Sequence, residues 1–356
     1  MSQHVVAVKD RLMPQYFKNG SLYASEDHFV YGSNDSGDTW QTVCRLEPPD
    51  RSLKSKIKDT VLRTSLVRSL RRNIGISHVV VVKSGTVIAL YDAIYRYTGS
   101  GGLAKRVFDL KGIKGPLSGG LVVDERSDRI YFGEYNNDRP YAVRIIRGMN
   151  DGKDWEVCYQ FPEGAIKHVH SIVPDPYRKR LWICTGDSDQ ESGLYYTDDD
   201  FKSVHLFNGG SQVWRMISLF PLEDCLVWGS DAGQDSPSYA DNYIYKYRFG
   251  DKAPVKLAYI QKPAYYSMRL ANGLFALGTT YEAASRDGMQ ESADLWISKD
   301  GLEWKKKFSF PFKPSGRKNR TRYATLNFPK GEGCEQIFIT PENTEKYDFQ
   351  LIRCQV

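Results

Sequence analysis

His168 and His170 flank Val169 in the stretch Lys167-His168-Val169-His170-Ser171-Ile172-Val173, and a second apolar stretch, Leu181-Trp182-Ile183-Cys184-Thr185-Gly186, ends at Asp187. Both stretches read as strands. Alternate residues of a strand share a face, so the two imidazoles point the same way, and a turn at Asp175-Pro176-Tyr177-Arg178 returns Asp187 to their end. Two histidines and a carboxylate brought together can move protons. They can also hold a divalent cation, since imidazole nitrogen and carboxylate oxygen are both metal donors.

The same layout recurs along the chain. Apolar stretches end in Gly133-Glu134-Tyr135, Gly186-Asp187-Ser188, Gly229-Ser230-Asp231 and Gly278-Thr279-Thr280-Tyr281-Glu282, each a glycine followed closely by a carboxylate. The stretches paired with them begin with polar or aromatic residues: His78, Lys167 to His170, Gln212 to Arg215, Tyr265 to Arg269, and Arg322 with Tyr323. If hairpins of this kind are arranged around a ring, strand starts and returning strand ends meet at one mouth.

Three chemistries suit such a mouth. Carboxylates drawn from Glu134, Asp187, Asp231 and Glu282 would serve as acid and as base or nucleophile in glycoside hydrolysis, with His168 and His170 beside them. In β-elimination on an acidic polysaccharide, Arg215 would neutralise the uronate carboxylate, and His168, His170, Tyr266 or Tyr323 would remove the proton next to it. The third is a divalent metal on His168, His170 and Asp187, with no cofactor required by the other two. His78, Gln212, Trp214, Tyr266, Arg269, Arg322 and Tyr323 join Arg215 as expected substrate contacts.

The hairpins that position these groups recur with a period of about 45 to 50 residues, as expected for a ring of four-stranded units. The inner pairs fall at 77–82 with 86–91, 119–123 with 129–134, 168–173 with 180–187, 212–219 with 225–231, 265–270 with 274–282, and 322–328 with 334–340. With an N-terminal unit the expected total is seven, with six as the alternative, all within one domain, 1–356. Residues 5–8 are placed to close the ring against the last unit. Leu53, Ile57, Val61, Leu62 and Leu66 fall near helical spacing, so 48–73 reads as a helical insertion between the first two units.

Composition narrows the classes. A chain of 356 residues with 41% hydrophobic and 26% charged residues is ordinary for a globular protein rather than a disordered one. No apolar run reaches the roughly 18 residues of a membrane span, and residues 1–20 lack the layout of a secretory signal, so a cytoplasmic location without membrane association is expected. The net charge of +6 favours an anionic partner. The basic run from Arg51 to Arg72 lacks the interleaved aromatics of single-strand binders, which sets nucleic acid aside. Six scattered cysteines, none in a C-x-x-C pair, read as buried free thiols.

The most specific short motif is Ser33-Asn34-Asp35-Ser36-Gly37-Asp38-Thr39-Trp40, which fits Ser-x-Asp-x-Gly-x-Thr-Trp. Looser copies follow at Asn150 to Trp155, Thr197 to Phe201 and Ser298 to Trp304. With the repeat period, these turns resemble the Asp-box, or BNR, turns of sialidase-like β-propellers. More narrowly, Gly133-Glu134-Tyr135, His168-x-His170, Asp175-Pro176, Thr185-Gly186-Asp187, Trp214-Arg215 and Trp228-Gly229-Ser230-Asp231 resemble bacterial Asp-box glycosyl hydrolases. The resemblance implies an all-β propeller of four-stranded blades, with an acidic saccharide as partner. Sialidases also carry an Arg-Ile-Pro element near the N-terminus, which this chain lacks. The expected activity is therefore that of a glycosidase other than a sialidase, ahead of a polysaccharide lyase, with a non-catalytic glycan- or protein-binding propeller as the alternative.

Overall fold

The structure is a computed structural model and describes residues 5–47, 75–137, 141–233, 235–236, 241–282, 288–313 and 323–355. The expected helical insertion at 48–73 and Arg322 lie outside the described residues. The fold is an all-β propeller. Among the described residues the strands form six hydrogen-bonded sheets, four of four strands, one of five and one of nine, built from antiparallel meanders that follow one another in chain order, the nine-stranded sheet holding the first two. The first two units join at their outer edges, where Arg45 pairs in parallel with Leu103. The last unit takes its outer strand from the start of the chain: Val5–Asp10 pairs antiparallel with Gln350–Cys354, which closes the ring as the sequence suggested.

Each unit is a meander, and its faces pack on its neighbours. Val30, Val80, Ile88 and Ile130 join the first three units, and Tyr131, Ile145, Val169 and Ile172 join the third to the fourth. Trp182, Cys184, Trp214 and Trp228 lie between the fourth and fifth, and Val227, Ala264 and Leu277 between the fifth and sixth. Leu295, Phe338, Leu351 and Leu22 carry the contact from the sixth through the seventh to the first. Burying one such side chain stabilises by about 1.5–3 kcal/mol, so the ring is held by apolar interfaces spread evenly around it.

The recurring glycines belong to this packing. A Cβ at Gly133 would stand 2.4 Å from Val169 of the next unit, and one at Gly229 would stand 2.4 Å from Ala264. At Gly278 it would meet Phe328 at 2.9 Å. At these three positions glycine is required because the next unit lies directly against it.

The four turns with related sequences join the third and fourth strands of their units. In the first, Asp35 accepts from the Thr39 amide (2.9 Å) and hydroxyl (2.5 Å), and the Trp40 indole donates to the Gly37 carbonyl at 2.9 Å. These donors hold the Asp35 carboxyl down at about 2. Asp199 accepts in the same way from Ser203, and the indoles of Trp155 and Trp304 donate to the carbonyls of Gly152 and Gly301. These aspartates are structural.

One expected strand differs. Residues 212–219 read as continuous, whereas Gln212–Trp214 forms a 3₁₀ turn and the strand is only Leu219–Pro221. The Gln212 side chain donates to the Asp187 carbonyl at 2.9 Å, and the Arg215 amide closes the turn on the Gln212 carbonyl. These polar contacts outweigh the β-propensity of Val213 and Trp214. All six cysteines are free, and five of them are buried.

Candidate functional site

The fourth and fifth units build the site between them. In the inner strand His168–Asp175, Val169 pairs with Thr185 but Ser171 pairs with Cys184, so His170 is the extra residue of a β-bulge. A bulge re-aims a side chain, and this one turns the His170 ring so that Nδ1 lies 3.1 Å from the Met216 carbonyl. His168 is in register, and its Nδ1 lies 3.0 Å from the Asn136 carbonyl. The two Nε2 atoms stand 3.0 Å apart. Asp187 Oδ1 completes the group, 3.2 Å from His168 Nε2 and 3.3 Å from His170 Nε2. Strict alternation would have given the same grouping by a different route; the bulge supplies it.

Gly186 makes room for this approach, since a Cβ there would stand 2.4 Å from His170 Cε1 and 3.2 Å from Arg215 Cγ. Tyr135 stacks on His168 from the third unit, with ring centroids 4.1 Å apart.

Arg215 ties the cluster to the fifth unit. Its Nη2 lies 3.1 Å from Asp187 Oδ1, its Nε 3.3 Å from Asp231 Oδ2, and its Nη1 2.9 Å from Asp235 Oδ1. The guanidinium is thus spanned by three carboxylates of its own chain. A substrate uronate would have to displace one of them, which argues against the expected neutralising role. Lys167 pairs with Asp187 Oδ2 at 2.5 Å.

Two of the three carboxylates beside Arg215, Asp187 and Asp231, are shifted in opposite directions. Burial alone would raise Asp187, but the bonds to His168 and His170 and the charge of Arg215 more than offset it and hold the carboxyl well below the usual carboxylate range. Asp231 is pushed well above that range by burial, which Arg215 only partly offsets, with Glu282, Asp187 and Asp235 adding negative charge nearby. Its Oδ1 is buried without a hydrogen-bond partner among the described residues. Burial also lowers His170 to about 4 despite its bond to Asp187, so the ring is neutral at pH 7.

The other expected residues divide. Glu282 reaches the rim of the cluster and accepts from the Tyr265 hydroxyl at 2.7 Å. Gln212 joins through its bonds to the Asp187 carbonyl and to Asp189 Oδ1, each 2.9 Å. Tyr323 pairs through its backbone with Glu282. Glu134 is not brought in: its carboxylate is fully buried and turned onto Arg144, at 2.9 Å from Nε and 2.6 Å from Nη2, and it accepts from the Lys114 amide. His78 is held by the Ser77 hydroxyl and the Leu117 carbonyl, in its own unit and the following loop. Trp214 is core, stacked on Trp228 with centroids 5.0 Å apart. Tyr266 packs its ring in the core cluster of the sixth and seventh units with its hydroxyl within electrostatic reach of Tyr135 and Asp231, while Tyr265, the extra residue of a bulge between Ala264 and Tyr266, reaches Glu282. Arg269 lies at the far end of its inner strand, over Phe275. There it lines a separate cavity of about 420 Å³ with Lys330, Glu332 and Glu125.

Sequence reasoning missed Asp235, Tyr265 and Tyr135. Asp235 follows Asp231 in the same polar loop and Tyr135 follows Glu134, so position hinted at both; no pattern in the residues announces the bulge that selects Tyr265.

No protein-family model matches the chain, and no curated protein matches its sequence. Solved structures do. An ancestral GH74 enzyme superposes with a TM-score of 0.58 at 12% identity, covering 95% of this chain and 44% of that one. The GH74 enzyme of Niastella koreensis gives 0.54 at 12%, covering 85% and 46%. A streptogramin B lyase gives 0.59 at 9% identity, covering 99% of this chain and 97% of its own. The chain spans less than half the length of the two GH74 enzymes. At these identities the likeness establishes the propeller fold.

Proposed function

We propose that the chain is a carbohydrate-active enzyme of the Asp-box propeller type that hydrolyses an anionic oligo- or polysaccharide at the mouth formed by the fourth and fifth units. The observation that carries this reading is Asp231: a buried carboxyl with one oxygen unpartnered among the described residues, set across Arg215 from a second carboxylate, Asp187, that is held ionised. Environments that drive two neighbouring carboxyls apart define an acid and its charged partner. Asp231 is the proton donor to the leaving glycosidic oxygen. Asp187, fixed by Lys167, Arg215 and both histidines, is the anion that faces the developing positive charge of the sugar or attacks it. The anionic preference rests on the net charge of +6, since Arg215 is already engaged. That GH74 enzymes share the fold is consistent with a saccharide substrate and carries no more than that.

One observation favours a second reading, a non-catalytic glycan- or protein-binding propeller. Most charged groups of the cluster are satisfied by one another, as in a rigid structural network.

The test is a panel of acidic and neutral oligosaccharides assayed with wild type and with Asp231→Asn, Asp187→Asn and His170→Ala. New reducing ends, lost by about a hundredfold or more in folded Asp231→Asn, support hydrolysis. A new unsaturated-uronide absorbance supports elimination instead. Binding without turnover supports the second reading, and full activity in all three folded variants sinks the assignment of the site.

A further inference from the structure

We propose that His168, His170 and Asp187 form a binding site for one first-row divalent cation of the Zn²⁺ or Mn²⁺ class. The argument starts from hydrogen-bond donors. A backbone carbonyl can only accept, so the contacts to the Asn136 and Met216 carbonyls place a ring proton of each histidine on Nδ1. Both Nε2 atoms are turned away from those carbonyls and face each other at 3.0 Å, with Asp187 Oδ1 at 3.2 and 3.3 Å. Three atoms that can each serve as a metal donor converge there. A ring nitrogen donating its proton to a backbone carbonyl while the other nitrogen points at a metal is the usual outer-shell arrangement of metal-bound histidine.

The spacing fits an ion. A point about 2.1 Å from all three atoms, the bond length such ions make to imidazole and carboxylate, lies about 1 Å out of their plane, and the angles it subtends are about 90° to 105°. Two histidines and one carboxylate on one face of the ion leave its other positions open to water or a substrate oxygen. Asp187 is held for monodentate use: Oδ2 is taken by Lys167, and Oδ1 spends one lone pair on Arg215.

Purified full-length chain, stripped with a chelator and dialysed, is titrated by calorimetry with Zn²⁺, Mn²⁺ and Mg²⁺. The expected result is saturable binding of one Zn²⁺ or Mn²⁺ per chain, with Mg²⁺ far weaker because two of the three donors are nitrogen. His170→Gln and Asp187→Asn bind at least about 100-fold more weakly, whereas His78→Gln, a buried histidine outside the cluster, binds as wild type does. The Co²⁺ complex of wild type gives a separate reading, with visible bands of a nitrogen-ligated ion, and it does not depend on any variant folding. If wild type takes up no ion stoichiometrically, or if folded His170→Gln binds as tightly as wild type, the site does not exist. An imidazolium signal at neutral pH in nitrogen NMR of the metal-free chain, together with no uptake, would show that a shared proton fills the gap instead. These measurements read binding alone, so their failure leaves the hydrolase reading standing, and an absence of saccharide turnover leaves the metal site standing.

Discussion

Replacing Gly186 by alanine is the sharpest probe of the site, because it adds one methyl group and touches nothing else. Gly186 does not adopt a positive φ, so its φ does not bar alanine. Its Cβ would stand 2.4 Å from His170 Cε1, 3.0 Å from Nε2 and 3.2 Å from Arg215 Cγ. Carbon atoms in contact sit about 3.5 Å apart or more, so the imidazole must retreat by about 1 Å. That takes Nδ1, now 3.1 Å from the Met216 carbonyl, out of good hydrogen-bond range and moves Nε2 away from Asp187. Overpacking of this size costs about 1–3 kcal/mol. For 356 residues the unfolding entropy scales to about 0.75 kcal/mol/K, so the melting temperature falls by only about 1 to 4 °C. A reacting group misplaced by about 1 Å loses on the order of 100-fold in rate. Thermal melts and kcat/KM on the best substrate of the panel give both numbers. An alanine variant with wild-type kcat/KM and an unchanged melting temperature would refute the tight approach of His170 to Asp187 and the part assigned to it.

Asp231→Asn tests the other half of the pair through stability. A carboxyl whose folded pKa is raised contributes stability that is complete below its unfolded value and is lost as pH rises through the folded value. Wild type therefore weakens as pH climbs above the ordinary carboxyl range. The asparagine variant lacks that component and melts higher at pH 7; melts from pH 4 to 8 with the same slope in both proteins would contradict the assignment. Trp214→Ala addresses a residue that sequence reading placed in the cleft and the structure places in the core. Loss of the stack on Trp228 costs about 3–5 kcal/mol, or about 4 to 7 °C, with KM unchanged within about twofold. A large rise in KM at unaltered stability would return Trp214 to the substrate.

Period and alternation made the architecture legible. The hairpin of His168 and Asp187 falls where the sequence put it, and the closing strand, expected at 5–8, runs over Val5–Asp10. These features follow from local rules of apolar periodicity, turn residues and the two-residue repeat of a strand. The site was legible only in part. His168, His170, Asp187, Arg215 and Asp231 come together, but Glu134 has the same motif position and is consumed by Arg144. Gly133, Gly229 and Gly278 are explained by packing of the next unit, and only Gly186 makes room for a group of the site, His170.

What the sequence determined by itself was which residues stand near strand starts and strand ends, and hence which could reach one mouth. The tertiary structure decided which of them do. A bulge turned His170 and Tyr265 inward and left Tyr266 in the core; burial between the fourth and fifth units separated the carboxyls of Asp187 and Asp231 into an anion and an acid. Both outcomes depend on neighbours distant in the chain, such as the Met216 carbonyl beside His170 and Arg215 between the two aspartates. Local pattern contains no term for them, because burial and charge act through space rather than along the chain.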